Sequence, residues 1–248
     1  MISIKSSKEI DNMRAAGAIV AEVMRLLARE IKKDVTTSHL DRAAYELIRD
    51  RGATPSFKGY RGFPKSICTS VNNEVIHGMP SARKLCDGDI ISIDVGVCHN
   101  GYHADRAKTF AVGDISGDAQ RLINATRESF YEAIRYARAG ERLSNISSAV
   151  QRYVEDRGFS VVREYVGHGV GSKLHEDPAI PNYGNPGKGP RLCAGMTIAI
   201  EPMVNFGRKD IEILSDGWTV VTKDGSLSAH YEHTVLITDN DPVLITAG

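Results

Sequence analysis

At 248 residues and 27.1 kDa the chain can hold one large domain or two fused halves around a sizeable core. Lysine plus arginine equals aspartate plus glutamate at 31 each, with no long block of one sign, so the charge pattern indicates neither a nucleic-acid nor a membrane surface and favours a small or neutral partner. No apolar run approaches the ~18 residues of a membrane span, the opening MISIKSSKEIDNM lacks a continuous apolar stretch, and Cys68, Cys86, Cys98 and Cys193 show no C-x-x-C spacing; the reading is a cytoplasmic protein with reduced thiols.

Ile10, Met13, Gly17, Val20, Met24, Leu27 and Ile31 recur at intervals of three and four, which predicts a long amphipathic helix. Such a stripe serves either as a coiled-coil seam or as a face covering a sheet, and three heptads containing a glycine favour the sheet. A second helix is predicted from a Thr36/Thr37 cap through Leu40, Ala44, Leu47 and Ile48 to a stop at Gly52. The segment DIISIDVGVCHNGYHADRAKTF, residues 89–110, reads as a hairpin on Asn100-Gly101, the pair that suits a two-residue turn with positive φ at both positions. Two further helical patterns follow, through Leu122, Thr126, Phe130, Ala133 and Ala137 and through Ile146, Val150 and Val154 to Gly158. SVVREYV, MTIAIEPMV, WTVVT and HYEHTVLIT then read as strands, with NYGNPGKGP as an edge loop. The order of helices, strands, helices, strands predicts an α+β fold in a single domain, 1–248, whose two halves, roughly 1–140 and 141–248, share a sheet.

The hairpin places acids where a buried sheet should be apolar. The turn sets His99 opposite Tyr102 and Asp105 opposite Gly96, which shares a strand face with Asp94. The two carboxylates become diagonal neighbours roughly 7–8 Å apart. Two anions converging on a mostly buried face call for a cation, although pairing with Arg106 or Lys108 also accounts for them; His103, on the Asp105 face, is a further candidate ligand. The second half supplies His168 in GHGVG after a strand, Glu201 inside TIAIEPMV and Glu232 inside AHYEHTVLI. A lone histidine in such a setting is more often a satisfied core group, but four strand-embedded carboxylates beside it favour a metal centre. GHGVG also invites a dinucleotide-loop reading, which needs a helix directly after the glycines; the proline of SKLHEDP argues against one. The glycines then serve close approach of the backbone.

The ordered set Asp94, Asp105, His168, Glu201 and Glu232, in IDVGV, HADRAKTF, GHGVG, AIEPM and YEHTVL, resembles the type I methionine aminopeptidases in their minimal bacterial form, as do PKSICTSVNNEVIHGMP and DGWTVVTKDGSLSAHYEHT. The resemblance implies a pita-bread fold: two pseudo-twofold-related halves cupping a curved antiparallel sheet, with helices outside and two divalent metals (Co, Mn, Fe(II), Zn or Ni) at its centre. It implies that Asp94 holds one metal, His168 and Glu201 the other, and that Asp105 and Glu232 bridge both, leaving His103 without a ligand role. Carboxylate-rich sites with one imidazole suit such metals. It further implies that His77 contacts the scissile amide, that His175 donates to the oxyanion, that Glu201 shuttles the proton, and that Tyr60, Phe63, Cys68, His77, Leu174, His175 and Trp218 bind substrate. Leu174 stands where some members carry phenylalanine, and Cys68 is expected to line the pocket, so that a bulky thiol reagent there inactivates the enzyme. The implied activity is removal of N-terminal methionine from nascent chains with a small second residue, by a cytoplasmic monomer near the ribosome. An X-Pro aminopeptidase or prolidase, and a non-catalytic binding protein of the same fold, are the alternatives, as is an unrelated dinuclear phosphohydrolase, for which no basic phosphate clamp is visible.

Overall fold

The structure is a computed structural model describing residues 2–247. Helix α1, Ser7–Glu30, begins at a reciprocal cap in which Ser6 Oγ accepts from the Glu9 N–H and the Glu9 carboxylate accepts from the Ser6 N–H. Thr36 caps α2, Thr37–Asp50, which ends ahead of Gly52 at φ 68°. Short β1 (Thr54–Pro55), β2 (Cys68–Val71) and β3 (Glu74–Ile76) precede the hairpin of β4 (Ile90–His99) and β5 (Tyr102–Ala111). The hairpin has the register predicted from its turn: His99 faces Tyr102, Gly96 faces Asp105, and Asn100 and Gly101 take φ 50° and 78°.

Alternation on β4 divides the hairpin into two faces. Ile91, Ile93, Val95 and Val97 pack against Met13, Val20, Met24 and Leu27 of α1 and Leu40, Ala44 and Ile48 of α2. The stripe on α1 therefore covers a sheet. Ser92, Asp94 and Gly96, with Asp105, Ala107 and Thr109 of β5, point to the opposite face, the interior of the molecule.

Helices α3 (Gly117–Ile134) and α4 (Leu143–Glu155) form a second outer layer, where Leu122, Phe130, Ile146 and Val150 pack onto Ile198, Ile200, Val204 and Val235. The strands beneath are β6 (Ser160–Val161), β7 (Gly167–Gly169), β8 (Glu176–Ile180), β9 (Thr197–Ile200), β10 (Met203–Asn205), β11 (Ile211–Ile213), β12 (Val220–Thr222), β13 (Ser228–His230), β14 (His233–Leu236) and β15 (Val243–Leu244).

Three strand expectations need correction. Only Ser160–Val161 of SVVREYV is a strand, because the chain leaves the sheet to pass Glu164 and Tyr165 along the central cavity. MTIAIEPMV and HYEHTVLIT are each two strands. The first breaks at Glu201-Pro202, where proline has no N–H for a ladder, and the second breaks at Tyr231-Glu232. The single shared sheet is accordingly four small ones: β1-β4-β2 with β5 on β4, β13-β10-β6, β11-β12-β3, and β15-β14-β9-β7-β8. The two breaks face each other, since His233 pairs with Ile200 on one side and His230 with Met203 on the other. Glu232 N–H then donates to Ala107 O (2.9 Å), which ties this break to the hairpin at the level of the acids.

Candidate active site

His168 sits within β7, paired to Ala179 of β8 and Ala199 of β9, and not after a strand. A Cβ on Gly167 would come 2.3 Å from Ala199 O and one on Gly169 2.2 Å from Asp177 O. The glycines thus admit two neighbouring backbones, and the loop reading falls because a strand, not a helix, surrounds the histidine. His168 Nδ1 bonds to Gly169 O (2.9 Å), which leaves Nε2 for the cavity.

Five side chains meet where the four sheets converge. One donor atom each from Asp105, His168 and Glu232 lie within 4.8 Å of one another. Asp94, diagonal to Asp105 in the hairpin, lies close enough to share a proton with it. Glu201 Oε1 is 3.6 Å from His168 Nε2. Burial lowers the His168 pKa to about 4, so this last contact is no ion pair. Burial, followed by repulsion among the carboxylates, drives Asp94, Glu201 and Glu232 well above the usual carboxylate range, and burial takes Asp105 to about 7. Asp94 Oδ1, Asp105 Oδ1 and Glu232 Oε1 are buried without any hydrogen-bond partner. Buried acids with orphaned oxygens and a neutral imidazole fit divalent metal, which would satisfy those lone pairs and offset the repulsion. Arg106 does not pair with them: it points to the helix face and donates to Thr246 O (2.8 Å). His103 bonds through Nδ1 to Ser56 Oγ (2.8 Å) and does not line the cavity.

The cavity of about 300 Å³ is lined by all twelve residues picked out from the sequence. Its apolar end is a cluster of Phe57, Phe63, Cys68 and Leu174, flanked by Tyr60, Met79 and Trp218, with Phe63 and Trp218 edge to face at 5.1 Å. Cys68 pairs with Asp94 across β2 and β4. Burial first, then Asp94 and Asp105, push its thiol well up, which disfavours the thiolate.

His175 and His77 line the same cavity. His175 stacks on Tyr60 (5.1 Å), lies 4.1 Å from the His168 ring, and bonds through Nδ1 to Tyr60 Oη (2.9 Å). Burial, then His168, bring its pKa to about 3. The next residue, Glu176, is fastened by Lys5 in a buried ion pair of 2.7 Å. His77 has φ 57°, an uncommon conformation for a residue with a side chain, and meets Tyr165 edge to face at 5.5 Å. The sequence reading missed Tyr165 and Phe57 as lining residues, since neither stands in a pattern beyond ordinary strand or loop composition. It also missed His230, which is 2 % exposed, has no partner for Nε2, and lies 3.8 Å from Glu201 Oε2.

Fold and site together define a metallopeptidase of the pita-bread type. The chain belongs to metallopeptidase family M24, whose model matches residues 11–239, and within it to the methionine aminopeptidases. It is 57 % identical over 246 residues to the methionine aminopeptidase of Clostridium perfringens, covering 99 % of both chains, and 55 % identical to methionine aminopeptidase 1 of Bacillus subtilis, again covering 99 % of both. The solved methionine aminopeptidase of Thermotoga maritima superposes with a TM-score of 0.98 at 44 % identity and full coverage of both chains. The prolidase of Pyrococcus furiosus shares the fold at TM-score 0.82 and 23 % identity, and this chain covers 65 % of it.

Proposed function

We propose that the chain removes N-terminal methionine from polypeptides whose second residue is small, using two divalent cations. The observation that carries this is the pairing, in one cavity, of four acids and His168, three of the acids with orphaned oxygens, with an apolar cluster of Phe57, Phe63, Cys68 and Leu174. Asp94 would serve one cation, His168 and Glu201 the other, and Asp105 and Glu232 both. Cations held there supply the charge that activates water and polarises the scissile carbonyl.

The chain's own residues do the rest. Glu201 accepts the proton of the attacking water and passes it to the leaving amine. Neutral His175, with Tyr60 Oη–H donating to Nδ1, holds its proton on Nε2 and donates it in a hydrogen bond to the developing oxyanion. His77 contacts the scissile amide. Phe63, Cys68, Leu174 and Trp218 take the methionine side chain, whose burial contributes roughly 1.5–3 kcal/mol. The substrates are nascent chains in the cytoplasm near the ribosome, and the enzyme acts as a monomer.

The test combines exhaustive chelation with a peptide panel. Activity should vanish on chelation and return with Mn, Fe(II) or Co. Met-Ala, Met-Gly and Met-Ser peptides should be cleaved, and Met-Lys and Met-Leu should not. Activity in verified absence of metal, equal cleavage of Met-Lys and Met-Ala, preference for leucine-first peptides, or preferential X-Pro cleavage would each overturn this reading.

A further inference from the structure

His230 ends β13 at the point where that strand breaks before Glu232. Its backbone is locked to the hairpin, with its N–H donating to Thr109 Oγ1 (2.9 Å) and its carbonyl accepting from the same hydroxyl (3.0 Å). The ring is 2 % exposed, and its Nε2 has no hydrogen-bond partner. The facing strand breaks at Glu201, whose backbone carbonyl accepts from Asn182 Nδ2 (2.9 Å). The two oxygens of Glu201 are thereby divided: Oε1 is 3.6 Å from His168 Nε2, and Oε2 is 3.8 Å from His230 Nε2.

We infer that His230 is a positioning residue for Glu201: its Nε2–H donates to Oε2 and holds the carboxylate so that Oε1 faces His168. The observed 3.8 Å is longer than the about 2.7–3.2 Å of a formed N–H···O bond, and such contacts close when a site is loaded. Partners of this type, one step removed from the metal, typically change metal affinity or activity about 10–100-fold when lost.

This inference rests on the assignment of Glu201 given above, and its test reads the His230–Glu201 contact separately from peptide cleavage. In ¹⁵N-histidine NMR of the Mn-free, Zn-loaded protein, His230 should be the Nε2–H tautomer with a slowly exchanging proton, and Glu201→Gln should shift that resonance. His230→Leu should lower both kcat and the calorimetric affinity for Mn²⁺ at least tenfold with KM little changed. His230→Gln, whose amide N–H reaches the same oxygen, should restore both to within about threefold of the parent. Finding the Nδ1–H tautomer, or a His230→Gln protein as impaired as a folded His230→Leu, would overturn the assignment. If His230→Leu does not fold, the tautomer and the behaviour of His230→Gln decide alone.

Discussion

The two ends of the cavity are built on opposite terms. At the apolar end Phe63, Cys68 and Leu174 are buried against one another and gain stability from contact, so this end is satisfied by the protein itself. At the acidic end Asp94, Asp105, Glu201 and Glu232 are buried against one another and repel, with three carboxylate oxygens left unpartnered. The apolar end is complete in itself, and the acidic end holds groups that oppose one another. The fold tolerates the second because Ile91, Ile93, Val95 and Val97, on the other face of the same strand that presents Asp94, anchor the hairpin to two helices. Function has been placed where the surrounding core can hold strain.

The most forceful way to break this contrast is to neutralise an acid. Asp105→Asn and Glu232→Gln should bring peptide cleavage to background and lower bound metal, measured by elemental analysis. In the metal-free state the same variants should melt higher than the parent, because a repelling buried charge has been removed. A lower melting point in both would show that the acids contribute to the fold instead of straining it.

The boundary between the ends is tested by His175→Ala, which should lower kcat by about 10²–10³, or roughly 2.7–4 kcal/mol, with metal content unchanged. A change confined to KM would remove the oxyanion role. The apolar end is tested by Leu174→Ala. The enlarged pocket should hold methionine about tenfold less well, seen as KM at nearly constant kcat, while bulkier first residues gain in kcat/KM. Unchanged KM across a panel of first residues would mean that Leu174 does not contact the side chain.

The finest distinction is in pH dependence. Histidines whose folded pKa is lowered, His77 and His168 to about 4 and His175, His230 and His233 to about 3, contribute stability that is full above the unfolded value near 6.5 and is lost as pH falls below it. The raised carboxylates act in the opposite sense. Their folded state holds protons more tightly than the unfolded chain, so their contribution declines as pH rises from the unfolded value through about 7 for Asp105 and higher for the others. Above pH 7 the histidine effect is complete and the carboxylates carry the remaining decline, joined as pH approaches 9 by the buried Cys68 thiol, which acts in the same direction. Metal-free protein should therefore melt lower at pH 8.5 than at pH 7, by at most about 1.4 kcal/mol per pH unit for each group still titrating. Divalent metal, which needs the acids ionised, should abolish that decline. Equal slopes with and without metal would contradict the assignment of these groups as its ligands.

The hairpin was legible from sequence because its register is local: Asn100-Gly101 fixes the turn, alternation fixes the face, and Asp94 and Asp105 follow without any knowledge of the rest of the fold. The helix stripes were legible for the same reason. The identities of His168, Glu201 and Glu232 as candidates came from residue type in apolar surroundings, together with the resemblance of their flanks to a known family, but their geometry did not. Local pattern cannot show that two strands break opposite each other, since the pairing of Ile200 with His233 and of Met203 with His230 joins segments some 30 residues apart. The sequence by itself determined the hairpin, the helices and the kinds of side chain available to a metal. Only the tertiary structure decided that Glu201 and Glu232 leave their strands at one level, that Phe57 and Tyr165 complete the walls, and that His230 stands 3.8 Å behind Glu201. The physical reason is that alternation and periodicity report one element's faces, whereas a buried site is made where four sheets meet, and the contacts that create it are long-range.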